Sequence, residues 1–162
     1  MSETLTILLR IAGVGLILLA ASHVAIGRHL KWREEIPRLS LVNASIFRAH
    51  TFFICLILVM MGLPCLLDPS IFLENSRAGA WLTWSFSAFW TIRLFFQWFV
   101  FPWALWRGKR LEVLVHASFT VLWITLALLF AVCGLEQRYQ GQLVGPDAVS
   151  TSVQNRPNTK PN

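Results

Sequence analysis

Charged side chains are scarce in this chain of 162 residues, of which 14% are Asp, Glu, Lys or Arg and 56% are hydrophobic. Soluble domains usually carry about 25% charged residues. Long apolar runs account for the deficit. The composition therefore excludes an ordinary soluble domain and indicates an integral membrane protein.

Motifs that would identify an enzyme are also missing. The chain has no Gly-rich phosphate loop, no GxSxG and no HExxH. Its three cysteines form no CxxC pair and have no metal-type spacing. Cys65 and Cys133 lie near the C-terminal ends of the apolar runs 46–67 and 112–135. We expect buried free thiols there rather than a disulfide. No enzyme class follows from these patterns.

Basic residues give a net charge of +6, but they cluster in two short segments between apolar runs. One segment holds Arg28, Lys31, Arg33 and Arg38, and the other holds Arg107, Lys109 and Arg110. Such clustering indicates membrane topology and excludes nucleic-acid binding. Because positive loops face inward, the loops 27–45 and 106–112 are predicted to be cytoplasmic, with both termini outside the cell membrane.

Four stretches satisfy the length of about 20 apolar residues that a membrane helix needs: 5–26, 46–67, 79–105 and 112–135. Glu3 and Arg10 argue against a cleaved signal peptide in the first. The predicted fold is all-α, an antiparallel bundle of four transmembrane helices over residues 1–137. Residues 138–162 are polar and lack periodicity, so we predict a disordered tail.

Three histidines are predicted to share one level near the cytoplasmic leaflet. His23 ends the first span, His50 begins the second and His116 begins the fourth, whereas His29 belongs to the basic loop. Neutral imidazoles at one depth suggest ligands of haem b or of a transition metal, with His50 and His116 on diagonal helices. The alternative is that each is an ordinary interfacial residue.

Arg93 and Gln97 are spaced i, i+4 in the third span and therefore share a helical face. Counted from Trp106, Gln97 lies about 14 Å and Arg93 about 20 Å inside the membrane. A charge at that depth costs at least about 2.5–3.5 kcal/mol unless it is paired or solvated. We therefore expect these two residues to orient an anionic group, a quinone or a lipid beside the cofactor.

Two functions are compatible with these patterns. The first is membrane electron transfer through a His-ligated haem b or metal. The second is a non-catalytic subunit or assembly factor, whose Trp-rich third span packs against other membrane subunits. Apart from such subunits, the predicted partners are the lipid bilayer and a quinone or a lipid.

Overall fold

The computed structural model describes residues 2–100 and 110–143, and these ranges contain helices and turns but no strand. The all-α prediction is confirmed for them. The five α-helices are α1 (Ser2–His29), α2 (Trp32–Glu35), α3 (Leu41–Leu67), α4 (Arg77–Phe99) and α5 (Arg110–Leu143). Short 3₁₀ turns occupy Ile36–Arg38 and Pro69–Phe72.

Three of these helices are long and apolar enough to cross a membrane: α1, α3 and the Arg110–Gln142 part of α5. The most apolar 18-residue segments of these helices have mean hydropathies of 2.2, 2.3 and 2.2. Helix α4 is not among them, because Ser, Thr, Trp, Arg and Gln dilute its apolar residues. The third predicted span, 79–105, also runs past the described residues. The four-span bundle therefore stays a prediction.

Helices α1 and α3 pack as an antiparallel pair. Gly13 faces Gly62, while the thiol of Cys55 donates to the carbonyl oxygen of Ala20 at 3.7 Å. A Cβ atom built on Gly13 would lie 2.7 Å from the carbonyl oxygen of Gly62. The backbones approach this closely only because both positions lack a side chain.

Helices α4 and α5 form the second antiparallel pair. The Ser87 hydroxyl donates to the carbonyl oxygen of Ala127 at 3.1 Å, and the Gln137 amide donates to the Thr83 hydroxyl at 3.3 Å. These two bonds give the polar side chains partners that lipid tails could not provide. They also fix the register of α4 against α5.

The Pro69–Phe72 turn joins the two pairs, because it contacts all four long helices. Phe72 is fully buried, and its ring lies 5.4 Å from the rings of both Phe86 and Phe130. We call this end of the helices the Phe72 end. The opposite end, where α1 and α4 finish and α3 and α5 begin, is the Trp32 end.

Buried side chains are concentrated toward the Phe72 end. On α1 none of the described residues after Ala20 is buried, and on α5 none before Trp123. On α3 no buried residue lies between Ala44 and Leu58. The helix pairs are therefore well packed at one end and leave much of their surface open at the other.

Two boundaries differ from the sequence prediction. Helix α3 begins at Leu41 rather than 46, since the Ser40 side chain caps it by accepting from the backbone N–H of Asn43. Helix α5 continues to Leu143, beyond the predicted tail boundary at 138, because Arg138 lies over the Trp84 ring and Gly141 contacts Asn75. The remaining predicted tail lies outside the described residues.

The two basic loops and the cysteines can also be compared with the sequence predictions. The basic loop 27–45 is largely helical, and Trp32 packs edge-on against Phe47, 5.0 Å between ring centroids. Most of the loop 106–112 lies outside the described residues. Cys65 and Cys133 are both buried, and the structure has them as free thiols.

Candidate functional site

A polar connection links α4 to α5 in the half of the molecule nearer the Trp32 end. Its centre is Gln97, which is only 4% exposed. Its side-chain amide lies 2.7 Å from Nδ1 of His116, and its Oε1 accepts from Arg93 Nη1 at 3.3 Å. The i, i+4 pair predicted from the sequence therefore forms, and it includes one of the three predicted histidines.

The charge of Arg93 determines the order of this hydrogen-bond chain. A guanidinium only donates, so the oxygen of Gln97 must face Arg93 and the amide nitrogen must face His116. The amide then donates to Nδ1 of His116, which accepts through its lone pair. The imidazole is consequently neutral, with its proton on Nε2.

An aromatic stack lies against this chain. The Arg93 guanidinium lies 5.0 Å from the centre of the Trp123 ring, a cation–π distance. Trp123 stacks on Trp90 at 5.0 Å with an interplanar angle of 9°, and on Phe119 at 5.5 Å. The rings hold the cation at the helix interface and restrict where its charge can point.

The stacked rings beside Arg93 carry buried hydrogen-bond donors that have no acceptor. The indole N–H groups of Trp90 and Trp123 are buried and have no hydrogen-bond partner among the described residues. In the ranges 2–100 and 110–143 the one ion pair is Arg38–Glu35, so no described carboxylate neutralises Arg93. We call Trp90, Arg93, Gln97, His116 and Trp123 the Arg93 site.

Serine and threonine side chains do not supply the missing acceptor. Among the described residues no hydrogen bond joins Arg93 to the hydroxyl of Thr120 or of Ser87. The Thr120 hydroxyl bonds to the carbonyl oxygen of His116, one turn earlier in the same helix. Ser87 bonds instead to Ala127. Gln97 is the polar partner that the structure gives to Arg93.

The other two histidines lie on the α1/α3 pair. His50 is exposed on α3. Nδ1 of His23 lies 2.9 Å from the carbonyl oxygen of Leu19 and must donate to it, because a carbonyl only accepts. His23 therefore donates through Nδ1, whereas His116 accepts through Nδ1.

No three His, Cys, Asp or Glu side chains come together as a metal-binding group in the part of the chain that the structure describes. The shared haem or metal site of His23, His50 and His116 therefore stays a prediction, as does the role of subunit or assembly factor.

No family model, curated protein or solved structure matches this chain.

Sequence reasoning missed the two tryptophans of the site. Trp90 was considered only as part of the Trp-rich third span, although Trp90, Arg93 and Gln97 are spaced i, i+3, i+7 on one helical face. Phe119 and Trp123 likewise have i, i+4 spacing. This periodicity was the available signal that the rings line the same interface as the charge.

Proposed function

We propose that this is a four-span protein of the cell membrane, with both termini outside, which binds an anionic amphiphile at the Arg93 site. The positive-inside pattern supports the orientation, and the pairing of α4 with α5 supports a fourth span. Helix α4 keeps its polar residues Thr83, Ser87 and Gln97 buried against neighbours rather than toward lipid.

The observation that carries the proposal is a partly buried cation surrounded by donors. Among the described residues Arg93 has one neutral oxygen as a partner, from Gln97, and the buried indole N–H groups of the stacked rings Trp123 and Trp90 have none. An unpaired guanidinium within a membrane is costly, and a phosphate or carboxylate offers the oxygens that this set lacks. An anionic head group completes the site.

An apolar groove gives the tail of such a molecule a place beside the head group. It has a volume of about 270 Å³ and is lined on α5 by Leu114, Val115, Ser118, Phe119 and Leu122. Phe119 also stacks on Trp123, so the groove adjoins the ring under Arg93. A head group at Arg93 and a chain in this groove would be contiguous.

Lipid retention in native mass spectrometry tests the proposal. The full chain in a non-ionic detergent is titrated with dioleoylphosphatidylglycerol, oleate or, as a neutral reference, dioleoylphosphatidylcholine. We expect preferential retention of an anionic probe, and a loss of at least about tenfold in Arg93→Gln, equivalent to about 1.4 kcal/mol. Arg48→Gln removes an exposed charge of the same membrane half and should leave retention within about twofold.

The proposal fails if Arg93→Gln and Arg48→Gln weaken retention equally, because the effect would then be a general response to positive charge. It also fails if neither anionic probe is preferred over the neutral lipid by the unaltered chain. Thermal unfolding of both variants shows whether a loss reflects binding or misfolding.

The haem or metal function remains a second candidate, and His23 is the observation that favours it. Metal-bound histidines commonly donate their other N–H to a backbone carbonyl, and His23 already does so. His116 would lose the bond from Gln97 whichever ring nitrogen bound the metal, because Nδ1 accepts from Gln97 and Nε2 carries the proton. His23 is therefore the better prepared ligand.

A reduced-minus-oxidised spectrum with elemental analysis tests this second candidate. If a haem band or a stoichiometric metal is present, His23→Ala should abolish it, whereas His29→Ala in the basic loop should not. Folded protein without either signal would contradict the cofactor hypothesis.

A further inference from the structure

A second polar cavity lies at the Phe72 end, away from the Arg93 site. Its volume is about 440 Å³, and three parts of the chain line it: the first turns of α1, the linker between α3 and α4, and the end of α5. We call it the Arg10 cavity. It is open to the outside of the molecule, so a ligand could enter without any unfolding.

Charges of both signs line the Arg10 cavity without neutralising each other. Arg10 enters from α1, and Asp68 and Glu74 enter from the linker. No ion pair within 4.0 Å joins Arg10 to either carboxylate, since the described residues contain only the distant Arg38–Glu35 pair. A positive and a negative wall therefore face one space.

We infer that the Arg10 cavity binds a small zwitterion carrying a primary ammonium and a phosphate or carboxylate. The guanidinium of Arg10 suits the anionic oxygens, which it can bind bidentately. Asp68 and Glu74 accept the N–H donors of the ammonium. Each charged wall thus receives its counter-charge from one ligand.

The lining favours a primary ammonium over a quaternary one. Quaternary ammonium groups have no N–H to donate and are held by aromatic cages. None of the residues that the structure places around the cavity is aromatic. Leu67 and Leu73 add an apolar wall, and Gln140 adds an amide. An ethanolamine head group fits this chemistry, whereas choline does not.

Two sources provide this chemistry: the head group of phosphatidylethanolamine and a free zwitterion such as O-phosphoethanolamine. By the proposed topology the cavity faces the outer membrane surface, which both can reach. The inference itself requires only the geometry of the cavity and does not depend on binding at Arg93.

Native mass spectrometry of the full chain distinguishes the possibilities. The probes are dioleoylphosphatidylethanolamine, dioleoylphosphatidylcholine and soluble O-phosphoethanolamine. We expect at least one ethanolamine probe to be retained about tenfold better than phosphatidylcholine. Retention should fall to the phosphatidylcholine level in Arg10→Gln and in the double variant Asp68→Asn, Glu74→Gln. All three residues are exposed, so these changes leave the core intact.

Arg77→Gln is the matched control, because Arg77 is exposed at the same end and does not line the cavity. It should keep the preference, and so should Arg93→Gln, which separates this site from the Arg93 site. Retention of the lipid alone identifies a head-group site, and retention of the soluble probe identifies a free zwitterion. Equal retention of ethanolamine and choline probes, or an unchanged preference in Arg10→Gln, overturns the inference.

Discussion

Replacing Gly13 by Ala should weaken the packing of α1 against α3. The added Cβ would lie 2.7 Å from the carbonyl oxygen of Gly62 and 2.8 Å from the backbone nitrogen of Leu66, where ordinary contacts begin at 3.4 Å. Both neighbours are backbone atoms, so no side chain can rotate away. The helices must separate by several tenths of an ångström, which weakens contacts along the whole pair.

Gly15→Ala separates this effect from helix propensity. Gly15 lies on the same helix with nothing within 4 Å of an added Cβ, so both variants share the gain of up to about 1 kcal/mol that Ala brings to a helix. Overpacking costs about 1–3 kcal/mol. We therefore expect Gly13→Ala to be less stable than Gly15→Ala by about that amount.

Thermal unfolding in detergent, followed by tryptophan fluorescence, measures the difference. At about 2–4 °C per kcal/mol for a chain of this size, the midpoints should differ by roughly 2–12 °C. Gly62→Ala provides an intermediate case, because its closest contact is 2.9 Å and its others are side-chain atoms at 3.2 Å. Equal midpoints for Gly13→Ala and Gly15→Ala would refute the close approach of the two helices.

Two further substitutions test the α4/α5 interface. Gln97→Leu should lower the free energy of unfolding by about 1–2 kcal/mol, because it removes two hydrogen bonds at a buried position, while Gln142→Leu at an exposed position should change it little. Ser87→Ala should cost about 0.5–1.5 kcal/mol through the lost bond to α5, and the exposed neighbour Ser85 provides the control. Thermal unfolding is the measurement for both pairs, and a loss no larger than that of the control would contradict the interface.

Helices α1, α3 and α5 were predictable because a run of about 20 apolar residues indicates a helix long enough to cross a membrane. Their ends were not, since they depend on contacts between distant residues. The Ser40 cap lengthens α3, and the contact of Arg138 with Trp84 extends α5. A hydropathy pattern contains neither kind of information.

The candidate site was predictable in part. Counting residues from a loop gives the height of a side chain in the membrane but not the direction in which it points. Helix periodicity predicted that Arg93 and Gln97 share a face, and the structure joins them by a hydrogen bond. The contact between Gln97 and His116 was not predicted, because it depends on how α4 and α5 face each other. The exposure of His50 depends on the rotation of α3 about its axis, which the nearly uniform apolar face of that helix does not define.

The Pro69–Phe72 turn gives the molecule the geometry of a pivot. It contacts all four long helices at one end, while the opposite end has few buried residues to hold the two pairs together. Gln97 is 20 residues along α4 from Arg77, a distance of about 30 Å. A rotation of one helix pair against the other by about 10° around Phe72 would therefore move the opposite end of that pair by about 5 Å, with little change in the Phe72 core.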